Sequence, residues 1–362
     1  MTMLRDLSPH AVNPQMVTLA RLSRGMKQAE LAARVGVSQG TLSKLESGIG
    51  SISDDDLQAL SAALGYPPRF FSMRSRVDGG SVAELYHNRK RKLTTAVALN
   101  KAYACATIRR IHIERLLNAA EPIDAQFPYY PTADYDEPAR TARTVRAALE
   151  LPNGPVFDIV AVIENAGGII IACAFDSRQI DGFSRWRHNE LPPLFFVNGD
   201  APPDRLRWTL AHELGHVVMH TNADPYDRME EEANLFAAEF LTPAQLIKPQ
   251  LLNLTFPRLA GLKTQWKVSI QALIMRAYQL NVISNRQRTY FFTQLSRAGY
   301  RLREPVELDP PRENPRALYR LVRDHLDRLG YSVPELAEAL ALTEREFRAL
   351  YLPNEHGLEV VK

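Results

Sequence analysis

The sequence predicts a mainly α chain with a small β component: an N-terminal helix-turn-helix bundle, an α+β domain in the middle, and a helical C-terminal region. Three observations carry that reading. Helix-period apolar patterns with good capping residues fill the first 65 residues and return after about residue 265. Two short apolar runs, Gly167-Gly168-Ile169-Ile170-Ile171-Ala172 and Leu194-Phe195-Phe196-Val197, have the length and composition of buried strands. Two apolar stretches, 204–221 and 227–241, follow them with helical spacing.

Composition sets the outer limits. With 362 residues, 45% hydrophobic and 23% charged, the chain can build two or three globular domains, and disorder as its main state is excluded. No run approaches the ~18 apolar residues of a membrane span, so no membrane partner is expected. The first 15 residues lack the apolar core of a secretory signal. Two cysteines, Cys105 and Cys173, do not make a disulfide framework, and the expected location is the reducing cytoplasm.

The net charge of +3 hides a strong asymmetry: residues 1–73 carry +1, residues 74–115 carry +7, and the remainder carries −5. The run His87-Asn88-Arg89-Lys90-Arg91-Lys92 is the sharpest part of the basic segment and a candidate for phosphate contact.

Turn-rich stretches divide the chain. Gly65-Tyr66-Pro67-Pro68 closes the first helical region, and Asp78-Gly79-Gly80-Ser81 reads as a hinge. Residues 94–120 contain neither Pro nor Gly and read as one long helix; 126–138, rich in Pro and Tyr, reads as a linker. Helices follow at about 137–149 and 158–165. The resulting division is 1–73, a basic helical connector 74–135, a central domain 136–282, and a C-terminal helical region 283–362.

Residues 28–46 have a helix-turn-helix layout. Leu31, Val35, Leu42 and Leu45 supply buried faces, Ala32 is small where helices approach, and Gly36 permits the positive φ of a tight turn. Ser38 is the expected cap of the second helix, whose first turns present Gln39, Gly40, Thr41, Ser43 and Lys44. Amide side chains pair with adenine, and lysine meets phosphate or guanine.

This segment, continuing through Glu46-Ser47-Gly48 and the helix at 54–64, resembles the XRE (Cro/CI-type) DNA-binding family. The resemblance implies double-stranded operator DNA as partner, read by a homodimer on paired half-sites. It implies a phosphate contact for Gln28 and base reading by Gln39. Ser38, Thr41, Ser43 and Lys44 complete the candidate DNA-binding set, while Gly40 stands where many members carry a polar residue.

The most specific local signal is His212-Glu213-Leu214-Gly215-His216, followed by Val217-Val218-Met219-His220. On a helix, residues four apart share a face, so His212 and His216 can present imidazoles to one metal ion, with Glu213 as general base. Such a site needs a third protein ligand. Glu230-Glu231-Glu232 lies 14 residues on from His216. From Glu230, the positions Ala233, Ala237 and Leu241 form a small apolar face, which favours Glu230; Glu232 is the runner-up. Asn234 is a candidate partner for a ligand histidine. His220, on the same helix, and Tyr226 are candidates to stabilise an oxyanion, with a structural role for His220 preferred. Arg205 and Arg207 read as structural.

Residues from about 138 to 280 resemble the ImmA/IrrE metallopeptidases. The carrying features are the Leu210-to-His220 stretch, the Glu-x-x-Ala-Asn-x-Phe-Ala-Ala helix ending at Leu241-Thr242-Pro243, Asp181-Gly182-Phe183-Ser184, and Val197-Asn198. The resemblance implies a zincin-like domain of gluzincin type. It places Zn2+ on His212, His216 and Glu230, and the catalytic base on Glu213. It also implies a regulator whose peptidase cleaves a partner repressor or the chain itself. Two other readings remain: a zincin-like sensor that cuts nothing, and an antitoxin-like DNA-binding protein.

The tail repeats an early pattern. Glu335-Leu-Ala-Glu-Ala-Leu-Ala-Leu-Thr343 matches the skeleton of Glu30–Ser38, but Glu344 and Glu346 replace Gln39 and Thr41. Carboxylates there would repel phosphate, so the tail reads as a packing or protein-contact module. Trp266, Tyr290, Phe291 and Phe292 are expected to fill a core between this tail and the central domain.

Overall fold

The computed structural model describes residues 12–75, 77, 95–120, 127–130, 137–177, 179–186, 191–220 and 226–352. The expected hinge at 78–81 and the basic run at 87–92 lie outside these residues. The fold class is mainly helical with one three-stranded sheet, as the sequence predicts. The chain forms two compact units, and the first is discontinuous: residues 1–123, 174–180 and 318–362 make unit 1, and 124–173 with 181–317 make unit 2.

Unit 1 opens with α1 (Pro14–Ser23), α2 (Gln28–Val35), α3 (Gln39–Glu46) and α4 (Asp54–Leu64). Short polar caps start them: Asn13, Ser38 and Ser53 each accept a backbone N–H from the first turn. Gly36 ends α2 at φ 85°, the left-handed conformation the tight turn requires. Met16, Val17, Ala20, Leu31, Leu42, Leu60, Phe70 and Phe71 form the core of the bundle.

The long helix α5 (Ala96–Ala119) is buried nearly all round, through Leu99, Tyr103, Ala106, Ile108, Ile111, Ile113 and Leu116. Its cations are engaged within the unit. Lys101 pairs with Asp176 at 2.5 Å, Arg110 with Glu114 at 2.7 Å, and Arg109 and Arg115 donate to the carbonyls of Leu350 and Ala339. Four of the ten cations of the +7 segment therefore satisfy carbonyls and carboxylates inside unit 1.

The tail contributes α14 (Ala317–Asp327), α15 (Val333–Ala339) and α16 (Glu344–Tyr351); all of α14 beyond Ala317 belongs to unit 1. The internal repeat holds in three dimensions. Ala341 takes φ 54° at the position of Gly36, and Thr343 caps α16 through the N–H of Glu346, as Ser38 caps α3 through Thr41. The surface chemistry does not repeat: Phe347 and Tyr351 are buried, and Glu346 pairs with Arg24 at 2.7 Å. Leu336, Leu340, Phe347 and Tyr351 join the same core as α1–α4.

His112 of α5 is fully buried, with Nδ1 2.7 Å from the Tyr351 hydroxyl. Burial, then the neighbouring Arg109 and Arg115, hold its imidazole well below the usual histidine range. The folded state thus keeps His112 neutral, while an unfolded chain takes up a proton near pH ~6.5. Stability from this site is full above that pH and falls below it. Chemical denaturation should show the wild type losing about 1.4 kcal/mol more than His112→Gln between pH 7.5 and 5.5.

Unit 2 contains α6 (Pro138–Ala148), α7 (Ile159–Asn165), β1 (Ile169–Cys173), β2 (Gly182–Arg185), β3 (Leu194–Asn198), α8 (Pro203–Met219) and α9 (Tyr226–Leu241). Short α10 (Ala244–Ile247) precedes α11 (Phe256–Trp266), α12 (Ile270–Gln279) and α13 (Asn285–Arg297). The sheet order is β1-β3-β2, with β1 parallel and β2 antiparallel to β3. Strand β2, which sequence reasoning did not identify, pairs Ser184 with Phe195 at the sheet edge.

A Cβ at Gly182 would lie 2.8 Å from the Phe196 carbonyl oxygen and 2.8 Å from Thr209 Cγ2. This glycine lets β2 close on both β3 and α8. Gly182→Ala is expected to cost roughly 1–3 kcal/mol in urea denaturation, because backbone rather than a flexible side chain must move.

Two expectations need correction here. The stretch 126–138 is more than a linker: Phe127 is in the unit 2 core, edge-on to Trp186, and the Tyr130 N–H donates to the Val218 carbonyl. Trp266 and Phe291 are buried, and Phe292 is partly buried, in the unit 2 core, whereas the tail packs in unit 1. Tyr290 is exposed. These aromatics follow helix-helix packing within α11–α13. No described helix is long and apolar enough to cross a membrane.

Candidate metal centre and DNA interface

Helix α8 is buried along almost its whole length, through Leu206, Leu210, Leu214, Val217 and Val218. The cost of placing histidines and a glutamate in such a helix is met only by specific partners. The i,i+4 spacing brings the rings of His212 and His216 to 4.7 Å between centroids, with the two Nε2 atoms 3.0 Å apart. Helix α9 packs against α8, with Ala233, Phe236, Ala237 and Leu241 buried, and delivers Glu230. Glu230 Oε1 lies 3.0 Å from His216 Nε2 and 3.4 Å from His212 Nε2.

These three ligand atoms converge on one point. Tetrahedral zinc with bonds of ~2.0–2.1 Å places its ligand atoms roughly 3.3 Å apart, so the donor set and spacing fit a single divalent ion. Burial first, offset by the hydrogen bond to Glu230, pushes the His216 pKa down to about 3. The ring is therefore neutral near pH 7, the form that binds metal.

Glu213 follows His212 and is buried; one carboxylate oxygen, Oε2, accepts from Ser184 Oγ at 2.9 Å. Sequence reasoning noted Ser184 only within a motif, because a four-residue edge strand has too little alternation to read. The edge strand thus holds a carboxylate of α8, the helix that also carries His212 and His216. Arg205 pairs with Asp181 of the same motif at 2.8 Å. Arg207 is buried against Glu313 and donates to the carbonyls of Val156 and Lys267.

Two neighbours, His220 and Asn234, differ from expectation, and the runner-up ligand Glu232 has other partners. Helix α8 ends at Met219, and His220 takes an extended conformation (φ −105°, ψ 147°), so it leaves the helix rather than continuing it. Glu232 is not part of the convergent group; it meets His220 and Arg228. Asn234 is exposed, and its amide donates to the Glu230 carbonyl rather than to a histidine. The Tyr226 side chain lies outside the described residues.

In unit 1, Ser38, Gln39, Thr41 and Lys44 are exposed along the start of α3, and Ser43 is half-buried. Ser38 Oγ accepts from the Thr41 N–H at 3.0 Å and lies 2.8 Å from the Thr41 hydroxyl. Gln28 is half-buried, and its amide donates to Glu46 at 2.7 Å. Arg21 holds the same Glu46 through two N–H donors, at 2.6 and 2.9 Å. This Arg21–Glu46–Gln28 group fixes the end of α3 against the start of α2, a bidentate geometry that orients the exposed face.

Two family models match segments of the chain. Residues 163–278 match the family model for the IrrE N-terminal-like domain, a metal-dependent peptidase family. Residues 18–71 match a helix-turn-helix model. No match was found among curated proteins. The chain is a fusion of an XRE-type helix-turn-helix segment with an ImmA/IrrE-type metallopeptidase domain.

Proposed function

We propose that this chain is a sequence-specific DNA-binding transcriptional regulator whose zinc-dependent peptidase domain cleaves a partner repressor or the chain itself. The observation that carries it is the convergence of His212 Nε2, His216 Nε2 and Glu230 Oε1, with the buried Glu213 carboxylate held by Ser184.

A zinc ion in this site supplies Lewis acidity toward a peptide carbonyl and toward water. Glu213 takes a proton from the attacking water and returns it to the leaving amine. Ser184 keeps the Glu213 carboxylate oriented between those two transfers. His212, His216 and Glu230 are the side chains that would hold the ion.

Unit 1 supplies the address. Gln39, Thr41 and Lys44 face outward from a rigid helix and suit reading of operator DNA by a homodimer on two half-sites. With an operator selected from random duplexes, Gln39→Ala should weaken specific binding by roughly 1–3 kcal/mol and relax the preference at one base pair. Fluorescence anisotropy on matched and mismatched duplexes reads both effects.

Cleavage is tested by incubating the purified full chain with repressors encoded near its gene, with and without chelator, and reading products by mass spectrometry. Metal-dependent fragments of a repressor or of the chain are expected. A loaded protein that cuts none of them, and does not cut itself, would leave the domain as a sensor.

A further inference from the structure

His216 is bonded at both ring nitrogens, and the second bond leads away from the convergent ligand atoms. His216 Nδ1 lies 2.9 Å from His220 Nδ1. His220 Nε2 lies 3.0 Å from Glu232 Oε2, and Glu232 Oε1 accepts from Arg228 Nε at 2.6 Å. The side chains of His220 and Glu232 are 4% and 11% exposed, so the bond between them is shielded from water.

With a metal ion taking the Nε2 lone pair of His216 beside Glu230, the protons in this chain have one arrangement with neutral rings. A carboxylate accepts and does not donate, so the hydrogen between His220 and Glu232 sits on His220 Nε2. Neutral His220 then presents a lone pair at Nδ1, and His216 Nδ1 must be the donor to it. That leaves the lone pair of His216 on Nε2, the atom facing His212 Nε2 and Glu230 Oε1.

The geometry follows from two local features. The turn out of α8 at His220 lets its ring reach α9. Glu230 and Glu232, two residues apart on α9, project about 200° apart around the helix, while the intervening Glu231 is exposed. Helix α9 thus faces both ring nitrogens of His216, with Glu230 beside Nε2 and Glu232 reaching Nδ1 by way of His220.

We propose that Glu232 and His220 are positioning residues: a relay that selects the metal-binding tautomer and ring orientation of His216 and so strengthens zinc binding at this site. This rests on the metal-site reading above. Carboxylate–histidine–metal relays commonly contribute a factor of 10–100 in affinity, through ring orientation and ligand basicity.

The test is zinc affinity of the full-length chain, measured by competition with a chromophoric chelator, beside thermal unfolding of the metal-free proteins. Glu232→Gln and His220→Ala should each weaken zinc binding by about 10–100-fold with little change in metal-free unfolding. The double variant should bind no more weakly than His220→Ala, because Glu232 acts on the metal only through His220. His212→Ala, which removes a ligand, should lose zinc outright. If both single variants bind like wild type while His212→Ala loses zinc, the relay is wrong and the metal site stands. Additive losses in the double variant, or losses that track a lower unfolding temperature, also overturn the relay. If wild type itself binds no zinc, or His212→Ala binds like wild type, the metal reading falls and takes the relay with it.

Discussion

Glu213→Gln should hold zinc as tightly as the wild type and lose cleavage by at least ~100-fold, the contribution expected of a general base. The carboxamide keeps the shape of the side chain, and its oxygen can still accept from Ser184 Oγ, so the local structure survives. What it lacks is the ability to take a proton from water. The three ligand atoms come from other side chains, so metal content measured after gel filtration is expected to be unchanged. The loss should fall in kcat rather than KM, because the proton moves only on the way to the transition state. Persistent cleavage by a zinc-loaded Glu213→Gln protein would assign the base elsewhere.

The largest effect on stability is expected at Lys263. Its side chain is fully buried and meets Asp204, Glu304 at 2.9 Å, and Asp309 at 3.6 Å. Glu304 also accepts the N–H groups of Ile270 and Gln271 at the start of α12. Asp204, in turn, is in the first turn of α8, the helix that carries His212 and His216. Removing the ammonium strands several carboxylates in a low-dielectric interior, and breaking such a group costs about 3–5 kcal/mol. Lys263→Met should therefore lower the denaturation midpoint of unit 2 sharply, while DNA binding by unit 1 changes little. A loss under ~1 kcal/mol would show that water reaches these carboxylates.

The parts of this molecule that were legible in the sequence share a property: their constraint is local. The i,i+4 pair His212 and His216, the Ser38 cap and the Gly36 turn are set by spacings of a few residues. The helix α5 and strands β1 and β3 announced themselves through long or strongly apolar runs. What escaped depends on partners far apart in the chain. Ser184 meets Glu213 across 29 residues, on a strand too short to alternate. Arg109 and Arg115 read as free positive charge, yet their acceptors lie 241 and 224 residues away. His220 looked like the third member of the i,i+4 series on that helical face; its backbone conformation, which no side-chain spacing reveals, sends it to Glu232 instead.

The internal repeat has a consequence for the order of synthesis. Leu336, Leu340, Phe347 and Tyr351 complete the core that begins with Met16 and Val17. During translation the reader emerges before the tail and lacks these side chains until roughly 260–290 further residues, including the whole of unit 2, have been made. A nascent chain thus displays α3 on a bundle whose apolar face is still open, and that bundle closes only when α16 has left the ribosome. Truncation before Leu336 should leave the reader in the same incomplete state, and an early stop in this gene would yield a chaperone client rather than a shorter folded chain.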